Sequence, residues 1–546
     1  MRFLGAKAEP LPFKPVGDMI LRPGSMVSAT LIKNNTTSDV AEIHANLNFT
    51  IDEPFSLHKI MAAQQNISID NPSDSLVPPA QSIKDRYAAE RVDLRHLPFV
   101  TIDGARTSII DDALYAERQK NGAYDLYVAI ASTAALIEPD SQLEQEARSR
   151  GQNIYLPGMV STMLPDQISR QLGTLNPQED KAALVCKMTI DSQGHLDKET
   201  IQFMHATVRS HAKLDYDTVS AHLSEGNRLS GKSGETCVLL NEIAQKRHTV
   251  IGDTPYFTRN NDYYFNVDEN SGKLISVSET SRGSANDLVQ DLMITANIAA
   301  GAWLGEKQQS QGIYRTHPGF SHQKELKAVL ESEHIFLKNN ISSTEGFREI
   351  LTLLENDKLS ASGKSRVLSW LTSANYSHQP QAHLGIGTEF YLPWTSPLRR
   401  YADLVNHEIV SEKIKPATQE SVQQKDRARE EWLDSVINSA FTKQLAQQQG
   451  KVKSLQKAVE RALVLDLIKR ELEANKVLLS HAVIKEKIKE GLYKAELPQY
   501  KINTLVNLTG DFKPDQQLAV EIKKVEADDK RRPLVVSLVT SESKPE

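Results

Sequence analysis

Between residues 83 and 416, short apolar runs alternate with stretches of helical periodicity, and this interleaving constrains the architecture more than any other feature of the chain. Residues 124–132 (YDLYVAIAS) and 182–190 (ending ALVCKMTI) are apolar enough for buried strands. Residues 265–279 carry a hairpin pattern that turns at Asn270, Ser271 and Gly272. Helical spacing of apolar side chains predicts helices over 285–304, 323–334 and 397–413. Strands and helices mixed in this order require one large α/β or α+β body.

The flanks differ. Residues 26–33 (MVSATLIK) and 41–51 (AEIHANLNFTI) read as two strands joined by a turn-rich stretch, and two strands cannot bury a core alone. A Pro/Ser/Asn-rich stretch at 71–82 reads as a linker. Residues 419–476 lack proline and are rich in Gln, Glu, Lys, Arg and Ala, which predicts long surface helices. Five short strand candidates follow at 483–488, 491–496, 502–508, 518–525 and 534–539, a number that suits a small OB-type barrel. The expected fold class is α+β: a partial OB-like module (1–70), a linker (71–90), a large mixed α/β body with its helices (91–476) and a C-terminal OB-type barrel (477–546).

No run of about 18 apolar residues is present, so a membrane-spanning helix is not expected. Two cysteines, Cys186 and Cys237, cannot build a disulfide framework, and the first thirty residues lack the order of a signal peptide. A cytoplasmic protein is expected. The net charge of −6 speaks at first against a nucleic-acid partner, but residues 441–546 hold 20 basic and 15 acidic side chains, so the excess of acid lies in the preceding body.

Two clusters carry chemistry. Asp103 ends a short apolar run, and the pair Asp111 and Asp112 comes eight residues later. Neighbouring carboxylates repel, and a hard divalent cation such as Mg²⁺ is the usual partner for three of them; a helix N-cap or an exposed turn is the alternative for such a pair. The second cluster is Thr395-Ser396-Pro397-Leu398-Arg399-Arg400-Tyr401-Ala402-Asp403, continuing to Asn406 and His407. Ser396 could cap a helix with Pro397 in its first turn, leaving Arg399 and Arg400 to grip a phosphate or simply to be surface arginines. Residues 226–233 (GNRLSGKS) spell a P-loop around Lys232, but the preceding YDTVSAHLS has helical spacing where a buried strand is required, so that reading is rejected.

Taken in order, these segments resemble the catalytic domain of the ribonuclease II and ribonuclease R family. The likeness runs from about Arg91 to Ala417 and continues more weakly to the C-terminus. It also includes Tyr155-Leu156-Pro157-Gly158, Ser210-His211-Ala212-Lys213-Leu214-Asp215-Tyr216, Met293-Ile294-Thr295-Ala296-Asn297 and Ile313-Tyr314-Arg315-Thr316-His317-Pro318. The resemblance implies metal-dependent, processive hydrolysis of single-stranded RNA from its 3′ end to nucleoside 5′-monophosphates, by a monomer with no membrane partner. It implies Mg²⁺, or Mn²⁺, held by Asp103, Asp111 and Asp112, with Asp111 and Arg399 closest to the chemistry. It further implies RNA contacts from Tyr155, Tyr216, Phe257, Arg399, Arg400 and Glu460.

Two departures follow from the same comparison. The family carries a fourth aspartate six residues after the first, where this chain has Ile109. An isoleucine cannot ligate a metal, which opens the alternative of a weakened or inactive RNA-binding homologue. Of the usual pair of N-terminal cold-shock-type domains only residues 26–51 resemble a part, the end of the second; either this lineage lost them or the chain starts late, and RNA capture would then rest on the basic C-terminal portion and its OB-type barrel.

Overall fold

The computed structural model describes residues 13–15, 25–32, 40–50, 52–79, 83, 85–226, 229–252, 262–280, 282–356, 358–414, 427–475, 477–526 and 533–539. At the N-terminus, β1 (Phe13–Pro15), β2 (Ser25–Ile32) and β3 (Val40–Thr50) form a sheet in the order β1-β3-β2. A helix at Ser56–Gln64 follows, and its buried Ala62 belongs to the apolar cluster that contains the long C-terminal helix. This supplies the support that two strands lack by themselves.

The body is built on β4 (Val92–Asp93), β5 (Phe99–Asp103), β6 (Asp112–Arg118) and β7 (Tyr124–Ala131). A separate hairpin, β8 (Ile154–Leu156) and β9 (Met159–Ser161), precedes β10 (Asp180–Ile190) and the 20-residue β11 (Leu196–Asp215). The sheet order is β10-β7-β6-β5-β11-β4, and β11 also pairs antiparallel with β10. One half of β11 therefore lies on β10 and the other runs parallel to β5, so the sheet curls back on itself. Every residue of β7 is buried, Asp125 included, where its carboxylate pairs with Lys187, and the rest of the run is apolar as a strand covered on both faces requires. Helices at Gly231–Ile251, Ser284–Gly301 and Tyr401–Lys413 contribute buried side chains to the same core.

β12 (Asp262–Val267) and β13 (Leu274–Thr280) form the expected hairpin, with Ser271 bonded to Asp268 in the turn. β14 (Tyr314–Thr316) pairs with β15 (Asn375–Ser377) across a helical segment with its own apolar cluster. At the C-terminus β16 (Leu478–Lys489), β17 (Leu492–Leu497), β18 (Ile502–Asn507), β19 (Gln517–Val525) and β20 (Leu534–Leu538) make a curled antiparallel sheet in the order β18-β17-β16-β19-β20. The fold is thus the expected mixed α+β body with a five-stranded C-terminal module.

Three expectations need correction. The helix expected from residue 397 begins at Tyr401, because Ser396 to Arg400 fold into a turn in which the amides of Arg399 and Arg400 donate to the Ser396 carbonyl. Ser396 does not cap it. The 36-residue helix Ser439–Ala474 is not a surface helix: Leu445, Val452, Leu455, Val459, Leu463 and Ile468 are buried between the body and the C-terminal sheet. Its polar composition reflects only its outer face. The stretch at 71–79 lies along the body, where Asn71 accepts from the Thr162 amide and Asp74 from the Gln167 amide. The rejected P-loop spelling starts just after the helix Tyr216–Glu225 and ends in the first turn of the helix Gly231–Ile251, which contains Lys232; Asn227 and Arg228 lie outside the described residues.

Candidate active site

β5 delivers Asp103 at its C-terminal end, and β6 opens on Asp112. The intervening loop is stitched to the body by main-chain bonds: the Ile110 amide donates to Thr174 Oγ1 at 2.8 Å and its carbonyl accepts from the Leu175 amide at 3.0 Å. Lys213 on β11 reaches across to donate to the Thr107 carbonyl at 2.6 Å. The register of β11 against β5 sets Asp215 beside Asp103, and Asp215 caps the next helix by accepting from the Thr218 amide at 2.8 Å. Tyr216 thereby starts that helix next to the carboxylates.

Asp111 is 4% exposed, and both of its oxygens are engaged. Oδ1 accepts from the Leu398 amide at 2.9 Å and Oδ2 from Arg399 Nε at 3.2 Å. Burial pushes its carboxyl up to about 6 against the pull of Arg399. Asp103 is likewise pushed up to about 6, by burial and by the charge of Asp111, with Lys213 opposing. Asp112 is raised well above the usual range by burial and by both neighbours. The Tyr216 phenol is pushed up to about 12 by burial and by Asp103 and Asp112. The charge of Asp111 thus raises both Asp103 and Asp112, that of Asp103 raises Asp112 further, and the three carboxylates share one electrostatic environment.

Among the described residues no group of three or more His, Cys, Asp or Glu side chains forms a ready metal cage. The donor set is nonetheless that of a hard cation. Asp103 Oδ2 is buried with no hydrogen-bond partner, and mutually repelling carboxylates are relieved by a divalent ion. The position six residues after Asp103 adds nothing to this set, because Ile109 packs against the body core.

Arg399 is 44% exposed, and its Nη2 donates to Ser396 Oγ at 2.9 Å. Its carbonyl accepts from the Asn153 amide, and Asn153 Nδ2 donates to the Tyr155 hydroxyl at 3.4 Å, so the β8–β9 hairpin is tied to the arginine turn. Tyr155 is 46% exposed. Arg400 turns instead to Asp403, donating from Nη2 to Oδ1 at 2.7 Å. Glu460 is not brought to the carboxylates: it lines a cavity of about 300 Å³ with Phe265, Lys457, Arg461 and Lys501, between the long helix, the β12–β13 hairpin and the C-terminal sheet. Phe257 lies outside the described residues.

The reading of the sequence overlooked the Leu398 amide, which carries no side-chain signal, and the tether from Lys213. Lys213 stood within a segment noted for its likeness, and its place three residues before Tyr216 was the available clue.

The model of one protein family, the RNB domain, matches residues 91–416, which contain all three aspartates and the arginine turn. The chain belongs to the RNB-domain family. Among RNB relatives, Exoribonuclease 2 of Vibrio vulnificus (strain YJ016) is 34% identical over 359 residues, covering 63% of this chain and 52% of that protein. The chain thus spans about half the length of the curated relatives it matches. Mycoplasma genitalium RNase R, solved in complex with ribose methylated single-stranded RNA, has a TM-score of 0.79 at 21% identity, covering 97% of this chain and 85% of that chain. Yeast Ssd1, described as a pseudonuclease, has a TM-score of 0.63 at 15% identity over 91% of this chain and 62% of its own. At these identities the two structures establish the RNB-type fold.

Proposed function

We propose that this RNB-domain chain is a metal-dependent hydrolytic exoribonuclease that shortens single-stranded RNA processively from the 3′ end and releases nucleoside 5′-monophosphates. The observation that carries the reading is the juxtaposition of three mutually destabilised carboxylates, Asp103, Asp111 and Asp112, with Arg399. Its Exoribonuclease 2 relatives and the RNA-bound RNase R neighbour support it.

Asp103 and Asp112, with Asp111, would hold Mg²⁺ or Mn²⁺. When bound, such an ion polarises a phosphate and makes water a stronger nucleophile near neutral pH. Arg399, half exposed beside Asp111, neutralises charge that builds on the phosphate as water attacks phosphorus and the bond to the 3′-oxygen breaks. Tyr155 offers an exposed ring for base stacking, which tolerates any sequence, and Tyr216 walls the site beside Asp103. The basic residues of 441–546 would draw in the RNA backbone. A cytoplasmic monomer completes the reading; among the described residues no helix is long and apolar enough to cross a membrane.

One observation favours a second reading, an RNA-binding homologue with weakened or lost catalysis. Ile109 fills with hydrocarbon a place where the family has a ligand, and both oxygens of Asp111 already accept protein donors.

Purified chain incubated with 5′-labelled single-stranded RNA in Mg²⁺ or Mn²⁺ separates the two. A ladder shortening from the 3′ end and abolished by Asp111→Asn supports the enzyme. RNA bound and left intact in both metals supports the binding protein.

A further inference from the structure

We infer that Asp403 and Arg400 form a positioning pair that sets the pose of Arg399 against Asp111, so that only one of the two adjacent arginines serves the phosphate. This rests on the exoribonuclease reading above. The turn from Ser396 to Arg400 belongs to no helix or strand, yet it must present the Leu398 amide and Arg399 Nε to the two oxygens of Asp111. Asp403 anchors it from below. This carboxylate is fully buried, and its Oδ1 receives the Ser396 amide at 2.9 Å and Arg400 Nη2 at 2.7 Å. One oxygen thus fastens both ends of the turn, while Oδ2 is buried without a partner.

Arg400 is committed to this inner face. Burial works against its charge, and Asp403 with the phenols of Tyr376 and Tyr391 more than offsets that, raising its pKa. Arg400 thus pairs with Asp403 beneath the turn, whereas Arg399 pairs with Asp111 within the carboxylate cluster. Farther along the same helix, Asn406 Nδ2 donates to the carbonyls of Ile313 and Pro393, and His407 Nε2 bonds the Trp394 carbonyl at 2.7 Å. Asp403, Asn406 and His407 share one helix face, by their spacing of three and four, and together hold the irregular segment that enters the turn through Pro393, Trp394 and Ser396. Of the two arginines in this motif, Arg399 is the one hydrogen-bonded to Asp111.

Misplacing a catalytic group by about 1 Å costs on the order of 100-fold in rate. Asp403→Asn keeps the shape and removes the charge, and is expected to lower kcat by roughly that factor with KM for single-stranded RNA unchanged. A general folding defect would give the same loss in any background; a positioning role would not. In an Arg399→Ala background, Asp403→Asn should change kcat by less than about twofold, since neighbouring groups that act as a unit are not additive. An equal fall in both backgrounds overturns the inference. If Asp403→Asn does not fold, Arg400→Gln carries the test: a fall in kcat at constant KM supports it, and a rise in KM at constant kcat makes Arg400 a phosphate grip and overturns it. A crystal structure of either variant needs no turnover. Arg399 withdrawn from Asp111 supports the pair, Arg399 in place overturns it, and an inactive wild type counts against the exoribonuclease reading alone.

Discussion

Arg399 donates its Nε to Asp111 Oδ2 at 3.2 Å although 288 positions separate them in the chain. The contact joins the two sequence clusters into one site and holds a cation beside a carboxylate whose ionisation burial opposes. Removing the guanidinium leaves that charge without its main compensation. Arg399→Ala should lower kcat by about 10²–10³, the usual cost of one transition-state donor, with a smaller change in KM. Steady-state kinetics on a short single-stranded RNA measure it, and a change confined to KM would assign Arg399 to ground-state binding.

The raised carboxylates make a pH-dependent prediction in the absence of metal. Asp103 rises from its ordinary 3.8 to about 6 on folding, so between those values the folded chain holds a proton that the unfolded chain has released. The contribution of Asp103 to stability is then greatest at acid pH and falls as pH rises through that window. Asp103→Asn removes the liability. In EDTA at pH 7.5 it should be more stable than wild type by about 1–2 kcal/mol, allowing for the partial exposure of Asp103, and the gap should close toward pH 4. Thermal melts at both pH values check this, and a gap of constant size would refute it.

Metal reverses the balance. Mg²⁺ added at pH 7.5 should raise the melting temperature of wild type and leave Asp112→Asn nearly unmoved, because binding to the folded state alone stabilises by mass action. An equal rise in both proteins would place the ion elsewhere.

Ile109→Asp tests the missing ligand directly. Another oxygen donor should lower the Mg²⁺ concentration for half-maximal rate by about tenfold. Ile109 packs on the body core, so some loss of melting temperature accompanies the gain. A Mg²⁺ titration without any leftward shift means that this position does not reach the ion.

Tyr155 is 46% exposed and little committed to packing, so Tyr155→Ala should leave the melting temperature nearly unchanged. Loss of one stacked base should weaken RNA binding by about 1–3 kcal/mol whatever the sequence. Fluorescence anisotropy on poly-pyrimidine and poly-purine strands reads both magnitude and indifference to base.

Much of the fold was legible because its elements announce themselves locally. The run at 124–131 was apolar enough to read as a buried strand, and the five C-terminal strands were readable from alternation and turns. The long helix was readable as a helix but not as a buried one, since its apolar side chains are diluted by Gln, Lys and Glu along 36 residues. The start at Tyr401 escaped because Ser396 and Pro397 look like a cap, while the tertiary pull of Asp403 on the Ser396 amide folds them into a turn. The candidate site divides the same way. Asp103, Asp111 and Asp112 were found by residue type and spacing, whereas the Leu398 amide could not be, because every residue but proline has one.

What the sequence determined by itself was the order of elements, the family and the three aspartates, since each of these is written in side-chain chemistry over short distances. What only the tertiary structure decided was which carboxylate each of Arg399 and Arg400 pairs with and the placement of Glu460 in a cavity not lined by the three aspartates. Adjacent arginines are identical as letters. They differ because a turn points one at Asp111 and the other at Asp403, and that direction is set by buried hydrogen bonds between segments hundreds of residues apart.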